Sequence, residues 1–203
     1  MAATHSQGDK TPRTERGRKT LRKLLDAAAT EFAEKGFHEA SISGITRSAG
    51  VALGTFYTYF DSKDAVFRAL VSDMSAGVGK AAREALDPSM GALEIERVAL
   101  RAFLEFAAEH KEIYRIIDEA EFVDPDSYRA HYETIGSRIE ERLKLGGESG
   151  EFAPGLGTPE AWAVMGMNVF LGLRYVIWGR EGDPDFEEIA RRANTLLTRG
   201  IAS

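Results

Sequence analysis

Few side chains in this sequence have the type and spacing that covalent chemistry needs. Asp118, Glu119 and Glu121 form an acidic cluster. Acid–base catalysis asks for carboxylates whose environments push their pKa values apart, whereas a charge run at a helix end is ordinarily solvated. His5, His38, His110 and His131 are scattered, and none pairs with another at metal-ligand spacing. There is no Cys for a thiolate ligand or a disulfide. Neither a nucleophile-elbow nor a metalloprotease motif occurs, and Gly146, Gly147 and Gly150 lack the Lys-Ser/Thr that completes a phosphate loop. No catalytic residue, metal site or cofactor is expected. What the chain does offer is a run of hydroxyls, aromatics and cations, Ser41 to Lys63, suited to hydrogen bonds with phosphates and base edges.

That run needs elements to hold it. Ser41 is an N-cap before the apolar Ile42 and Ile45, so a helix is predicted over Ile42–Ala49. Gly50 supplies the left-handed residue that ends it, and Val51 plugs the gap to a second short helix over Leu53–Tyr59. This is the outline of a helix-turn-helix, whose second helix enters the DNA major groove. Gly54 and Thr55 are then expected nearest the base edges, because Gly permits close approach and Thr offers a hydroxyl and a methyl. Ser41, Ser43, Arg47, Thr58 and Tyr59 complete the expected DNA face. A helix over residues 19–35, carrying Leu21, Leu24, Leu25, Ala28 and Phe32 at 3.6-residue spacing and ended by Gly36, buttresses the pair.

The stretch from Leu24 to Leu70 resembles the N-terminal domain of the TetR family of transcriptional regulators. The matching features are Phe32, Gly36-Phe37, Ser41-Ile42, Ile45, Ala49-Gly50-Val51, Gly54-Thr55-Phe56-Tyr57, Tyr59-Phe60 and Ser62-Lys63. The resemblance implies an all-helical protein that binds a double-stranded DNA operator as a homodimer. It implies a repressor released by a small, largely apolar inducer held between central helices. It also implies that Tyr57 and Lys63 touch the DNA backbone. The sequence departs from the family pattern at Ala52 and Leu53, where a capping Ser or Thr and a basic or polar residue are usual. A missing cap costs about 1 kcal/mol of helix stability, and Leu53 is left to contact a thymine methyl.

The 203-residue chain has a formal net charge of −6, which by itself argues against a DNA binder. The distribution reverses the argument. Residues 1–63 hold ten Lys or Arg against seven Asp or Glu, and the remainder sixteen against twenty-five. A basic head on an acidic body directs nucleic acid to the head. Residues 1–18 read as a flexible basic arm. They carry no apolar stretch of a signal peptide, and no apolar run long enough to span a membrane appears. A cytoplasmic protein is expected.

Beyond the head, assigned to residues 19–66, the body over 67–203 reads as further helices: 63–86, 92–110, 111–121, 124–145, 159–179 and 183–201, about nine in all. Met74, Phe103, Phe106, Tyr114, Phe122, Tyr128, Tyr132, Met165, Asn168 and Arg174 mix apolar surface with polar tips and are the candidate pocket, with Arg174 meeting an acyl or carboxylate group. The segment Pro159–Gly179 is apolar nearly all round and must be buried on most sides. Trp162, Gly166, Val169, Gly172, Leu173 and Val176, with Ile189, Leu196 and Leu197 from the last helix, are the expected homodimer face. The competing reading is a helical adaptor or enzyme without DNA function.

Overall fold

The computed structural model describes residues 10, 12–179 and 184–200. Over these residues the fold is all-α. Nine α-helices run in the order α1 (Glu15–Glu39), α2 (Ile42–Ala49), α3 (Leu53–Tyr59), α4 (Lys63–Ala85), α5 (Ala92–Glu109), α6 (Glu112–Val123), α7 (Pro125–Ser149), α8 (Thr158–Gly172) and α9 (Phe186–Gly200). A π-helical turn, Leu173–Ile177, extends α8. The chain divides into two compact units, Met1–Ser72 with Arg115–Ser127, and Asp73–Tyr114 with Tyr128–Ser203. The first unit is larger than the head expected over 19–66. Phe67, Leu70 and Val71 of α4 are buried, as are Ile116, Ile117 and Ala120 of α6. A helix far along the chain returns to the head, which sequence order does not reveal.

In the first unit α1 starts at Glu15, inside the stretch expected to be a flexible arm. Thr14 stays extended and its Oγ1 accepts the Gly17 N–H at 3.1 Å, a cap that begins the helix early. α1 leaves helical geometry at Gly36 as expected. Ser41 Oγ accepts the Gly44 N–H at 3.0 Å, and Gly50 closes α2 with φ 66 and ψ 36. The Val51 N–H then bonds back to the Thr46 carbonyl at 3.0 Å, a closure that requires a residue tolerant of the left-handed region. Phe32, Ile45, Phe56 and Phe67 are fully buried, with the Phe32 and Phe67 rings edge-on at 5.2 Å. Each such side chain contributes roughly 1.5–3 kcal/mol by leaving water, so the unit has an apolar centre of its own.

α1 and α2 are further joined by Glu31, a buried carboxylate. It accepts from Lys35 Nζ at 2.7 Å and the Ser41 N–H at 3.3 Å, and lies against Gly44, where a Cβ would overlap it. Burial pushes its carboxyl up, but the Lys35 hydrogen bond, the Ser41 N–H and the Lys35 and Arg47 charges hold it below its ordinary value.

The second unit is built on two apolar clusters. One joins Leu100, Leu104 and Ala107 of α5 with Val176 and with Ala190 and Ala193 of α9. The other joins Ile139 and Leu143 of α7, Phe152, and Ala161, Val164 and Met165 of α8. Here the structure corrects several expected boundaries. Gly146 and Gly147 lie inside α7, which continues to Ser149. Gly146 is there because the Phe152 ring sits where a Cβ would be, and the left-handed residue that ends the segment is Gly150. The helix expected from residue 159 includes Thr158. Gly157 precedes the helix and its N–H is held by Glu160 Oε2 at 2.8 Å, while the Thr158 hydroxyl donates to Glu140 at 2.9 Å. α9 is capped by Asp185, whose carboxylate accepts the Glu188 N–H at 2.9 Å. The expected start at Asp183 and end at Ile201 lie outside the described residues.

Candidate nucleic-acid interface and ligand cavity

α3 is a short helix without a side-chain cap. Ala52 offers no side-chain oxygen, and the Thr55 N–H bonds instead to the Ala52 carbonyl at 2.9 Å. Phe56 anchors the helix in the core. The opposite face is open. Leu53 is 49% and Tyr57 48% exposed, Gly54 and Thr58 are exposed, and a Cβ on Gly54 would meet nothing within 4 Å. Thr55 is half-buried beside them, and on α2 Ser43 and Arg47 are exposed. Seven of the ten expected DNA-facing residues thus offer groups able to meet a ligand: methyl, hydroxyl, phenol, guanidinium and bare backbone.

The Thr58 hydroxyl also donates to the Gly54 carbonyl one turn back at 3.3 Å, and the other three residues have their polar groups engaged across the unit. The Ser41 hydroxyl caps α2. The Tyr59 hydroxyl donates to the Gly17 carbonyl at 3.2 Å. Lys63 was expected at a DNA phosphate. Its ammonium instead donates to the carbonyls of Phe37, His38 and Ala40 at 2.7, 3.0 and 2.9 Å, which uses all three N–H groups. These carbonyls follow the break at Gly36 and have no helical N–H to accept, so the lysine closes the end of α1. From the arm, Lys10 Nζ donates to the Tyr57 carbonyl at 3.0 Å and to Asp61 at 2.5 Å, beside the last turn of α3. Glu119, weighed in the sequence as part of an acid–base cluster, accepts the Phe37 N–H at 2.9 Å, and Arg115 donates to the Ala33 carbonyl. Both serve to join α6 to the end of α1.

The second unit holds a cleft of about 70 Å³ lined by Val78, Gly79 and Ala82 of α4, Ala99 and Phe103 of α5, Ile135, Arg138, Ile139 and Arg142 of α7, and Met165, Asn168 and Val169 of α8. Of the ten expected pocket residues only Phe103, Met165 and Asn168 line it. Met74 is core, Phe106 fills the space over Gly77, and the Tyr114 hydroxyl donates to the Val169 carbonyl at 3.0 Å. Tyr128 and Tyr132 pair edge-on with each other at 5.0 Å. Phe122 lies in the first unit and is 83% exposed. Arg174 points outward from the π-helical turn over the Tyr175 ring. The cation that does line the cleft, Arg138, was missed. Its signal was present in α7, where His131, Ile135, Arg138, Arg142 and Gly146 recur at helical spacing along one stripe.

The electrostatics of the cleft are asymmetric. Glu96 is buried and takes a two-pronged contact from Arg142, at 2.5 Å to Nε and 3.1 Å to Nη2. Elsewhere in the same unit His131 is buried, its Nδ1 2.6 Å from the Ser75 hydroxyl, and burial pushes it down to about 4, so it is neutral near pH 7. Among the described residues no group of three His, Asp or Glu side chains could hold a metal ion.

The expected dimer face divides in two. Trp162 and Leu196 are exposed, together with Phe170 and Trp178, which the sequence reading left out, and Gly166 is half-buried with open space where a Cβ would lie. Trp162, Gly166 and Phe170 fall at four-residue spacing on one face of α8. Gly172 and Val176 are buried inside the unit. A Cβ on Gly172 would strike the Tyr114 hydroxyl, so this glycine admits Tyr114 and not a second subunit. Val176 belongs to the core shared with α5 and α9, and Ile189 packs against that core. Val169 and Leu197 pack on the other cluster, and Leu173 is half-buried.

No helix among the described residues is long and apolar enough to cross a membrane. Residues 24–70 match the family described as bacterial regulatory proteins, tetR family. The chain is 32% identical over 105 residues to the HTH-type transcriptional regulator YdgC of Bacillus subtilis, a match covering 50% of this chain and 54% of that one. It therefore spans about half the length of that relative. It is 23% identical to the HTH-type transcriptional repressor KstR2 of Rhodococcus jostii, with 92% of each chain covered. In fold it is similar to the transcriptional regulator FadR of Bacillus subtilis, whose structure is in complex with stearoyl-CoA, with a TM-score of 0.75 at 21% identity, covering 89% of this chain and 98% of that one.

Proposed function

We propose that this chain is a TetR-family regulator, a homodimeric repressor that reads its operator through α3 and leaves it when a small molecule occupies the cleft of the second unit. The observation that carries the reading is the open face of α3, Leu53 to Thr58, presented on a helix whose other side is locked by Phe56. Base contacts would come from Leu53, Gly54 and Thr55, and backbone contacts from Ser43, Arg47, Tyr57 and Thr58.

A way to transmit occupancy supports the same reading. α4 is one continuous helix. It carries Val66 and Phe67 in the core of the first unit and Val78, Gly79 and Ala82 on the wall of the cleft. A ligand that prefers one placement of α4 shifts the protein toward it, and only to the extent that it binds that state more tightly. Repression is supported by the likeness to KstR2, and an acyl ligand by the likeness to FadR. Mobility-shift titration against DNA from upstream of its own gene tests the reading. Retardation specific for one sequence, reversed by ligand, is the expected result. Weak retardation indifferent to sequence would return the protein to the adaptor reading.

A further inference from the structure

Arg138 is out of place for a structural arginine. It lines an otherwise mostly apolar cleft, and its Nη1 is buried with no hydrogen-bond partner. A buried guanidinium nitrogen left unpaired is costly, and native structures rarely keep one without a use. The group is not there by overflow. Gly79 of α4 makes room for it, since a Cβ at that position would come within 2.6 Å of the Arg138 Cζ and closer still to Nη1. The glycine is thus a seat shaped for the guanidinium.

The charge around it has no counterpart. Arg138 and Arg142 are the two charged residues in the lining. Arg142 is matched by Glu96, whose carboxylate it holds through Nε and Nη2. Among the described residues Arg138 has no such carboxylate, which leaves its positive charge in the lining without a counter-ion there. Around it Phe103, Ile135, Met165 and Val169 supply apolar wall, and Asn168 adds a second polar tip. A fork of N–H donors in an apolar setting is the arrangement that recognises a carboxylate or phosphate on a hydrocarbon body.

We propose that the cleft is a site for an anionic amphiphile, an alkyl chain ending in a carboxylate or phosphate, with its head group on Arg138 and its first methylene groups against Phe103, Met165 and Val169. This deepens the ligand-released repressor reading and rests on it. The cleft of about 70 Å³ holds several water-sized groups, a water needing roughly 10–15 Å³. That accommodates a head group and the start of a chain, the rest following as the cleft widens.

The test is titration calorimetry on the full-length, DNA-free protein with alkyl carboxylates from hexanoate to decanoate, the matching alkyl phosphates, and the matching alcohols. The acids or the phosphates should bind, and the alcohols at least about tenfold more weakly, as the loss of a charge-assisted contact predicts. Carboxylate and phosphate arms of equal chain length tell which head group the site prefers. Arg138→Gln should abolish the preference for acid over alcohol, weakening acid binding at least about tenfold more than alcohol binding. Gly79→Ala, which unseats the guanidinium, should weaken acid binding in the same direction. Circular dichroism and melting of both variants identify any that fail to fold, and the comparison of acid with alcohol in the native protein stands without them. Equal binding of acids and alcohols, no binding by any series member, or an Arg138→Gln protein that still prefers acids would each overturn the proposal. Acids that bind through Arg138 without releasing operator DNA would leave the site intact and overturn the repressor reading instead.

Discussion

The Lys63 ammonium lies 4.6 Å from the centre of the Phe37 ring and donates to that residue's own carbonyl oxygen at 2.7 Å. One cation thus stacks on an aromatic face and closes three carbonyls at the end of α1. Charge-assisted hydrogen bonds contribute about 1.5–3 kcal/mol. Lys63→Met should therefore lower stability by roughly 2–3 kcal/mol, seen as an earlier urea midpoint at unchanged slope. Operator binding by the folded fraction should keep its salt dependence. A variant of native stability whose log K against log salt slope has fallen by about 1 would place Lys63 at a phosphate after all.

Leu53 and Thr55 present apolar and hydroxyl groups from the open end of α3. Thr55→Ala and Leu53→Ala should each relax preference at one operator position by roughly 1–3 kcal/mol while other positions keep theirs. Binding measured against a set of single-base operator variants checks this. Uniform weakening across the whole set would put these side chains on the DNA backbone.

Phe170 is 66% and Leu196 67% exposed in the isolated chain. In the homodimer proposed above, solvent-facing aromatics at this spacing on α8 would be the surface that a second copy covers. Phe170→Asp should leave helicity and melting of the protomer intact, yield a monomer in sedimentation, and remove operator binding with it. A larger side chain at Gly172 would displace Tyr114 and so would report on packing inside the second unit rather than on the dimer. A dimeric Phe170→Asp protein would move the interface elsewhere.

His131 is held near 4 by burial, against an ordinary value of 6.5. Between these values the unfolded chain binds the proton and the folded one does not, so stability is present above about 6.5 and falls as pH drops toward 4. The full difference is on the order of 3 kcal/mol. His131→Gln should flatten the pH dependence of the urea midpoint across that window. An unaltered slope would show that other groups carry the acid sensitivity.

The local devices were legible in the sequence because each acts within a few residues of itself. Ser41 caps α2 and Gly50 ends it, Ala52 leaves α3 uncapped, and Phe56 faces inward while Leu53 faces out. Such signals depend on backbone geometry and helical period, which a string of residue types carries. Less legible were the start of α1 at Glu15, set by the Thr14 cap, and the packing of α6 in the first unit, which no local signal announces.

What the tertiary structure decided is which of several similar residues gets which partner. Lys63 and Arg47 are both cations near α3, yet only Lys63 meets three carbonyls left open where α1 breaks. Arg174 and Arg138 both sit among apolar residues. The π-helical turn swings the first into solvent, and Gly79 admits the second to the cleft. Gly166 and Gly172 are two glycines of one helix, one open and one filled by Tyr114. These assignments depend on contacts between residues tens of positions apart. The hydrophobic effect that drives them together is non-directional, so a one-dimensional pattern shows that a face is buried but not what it is buried against.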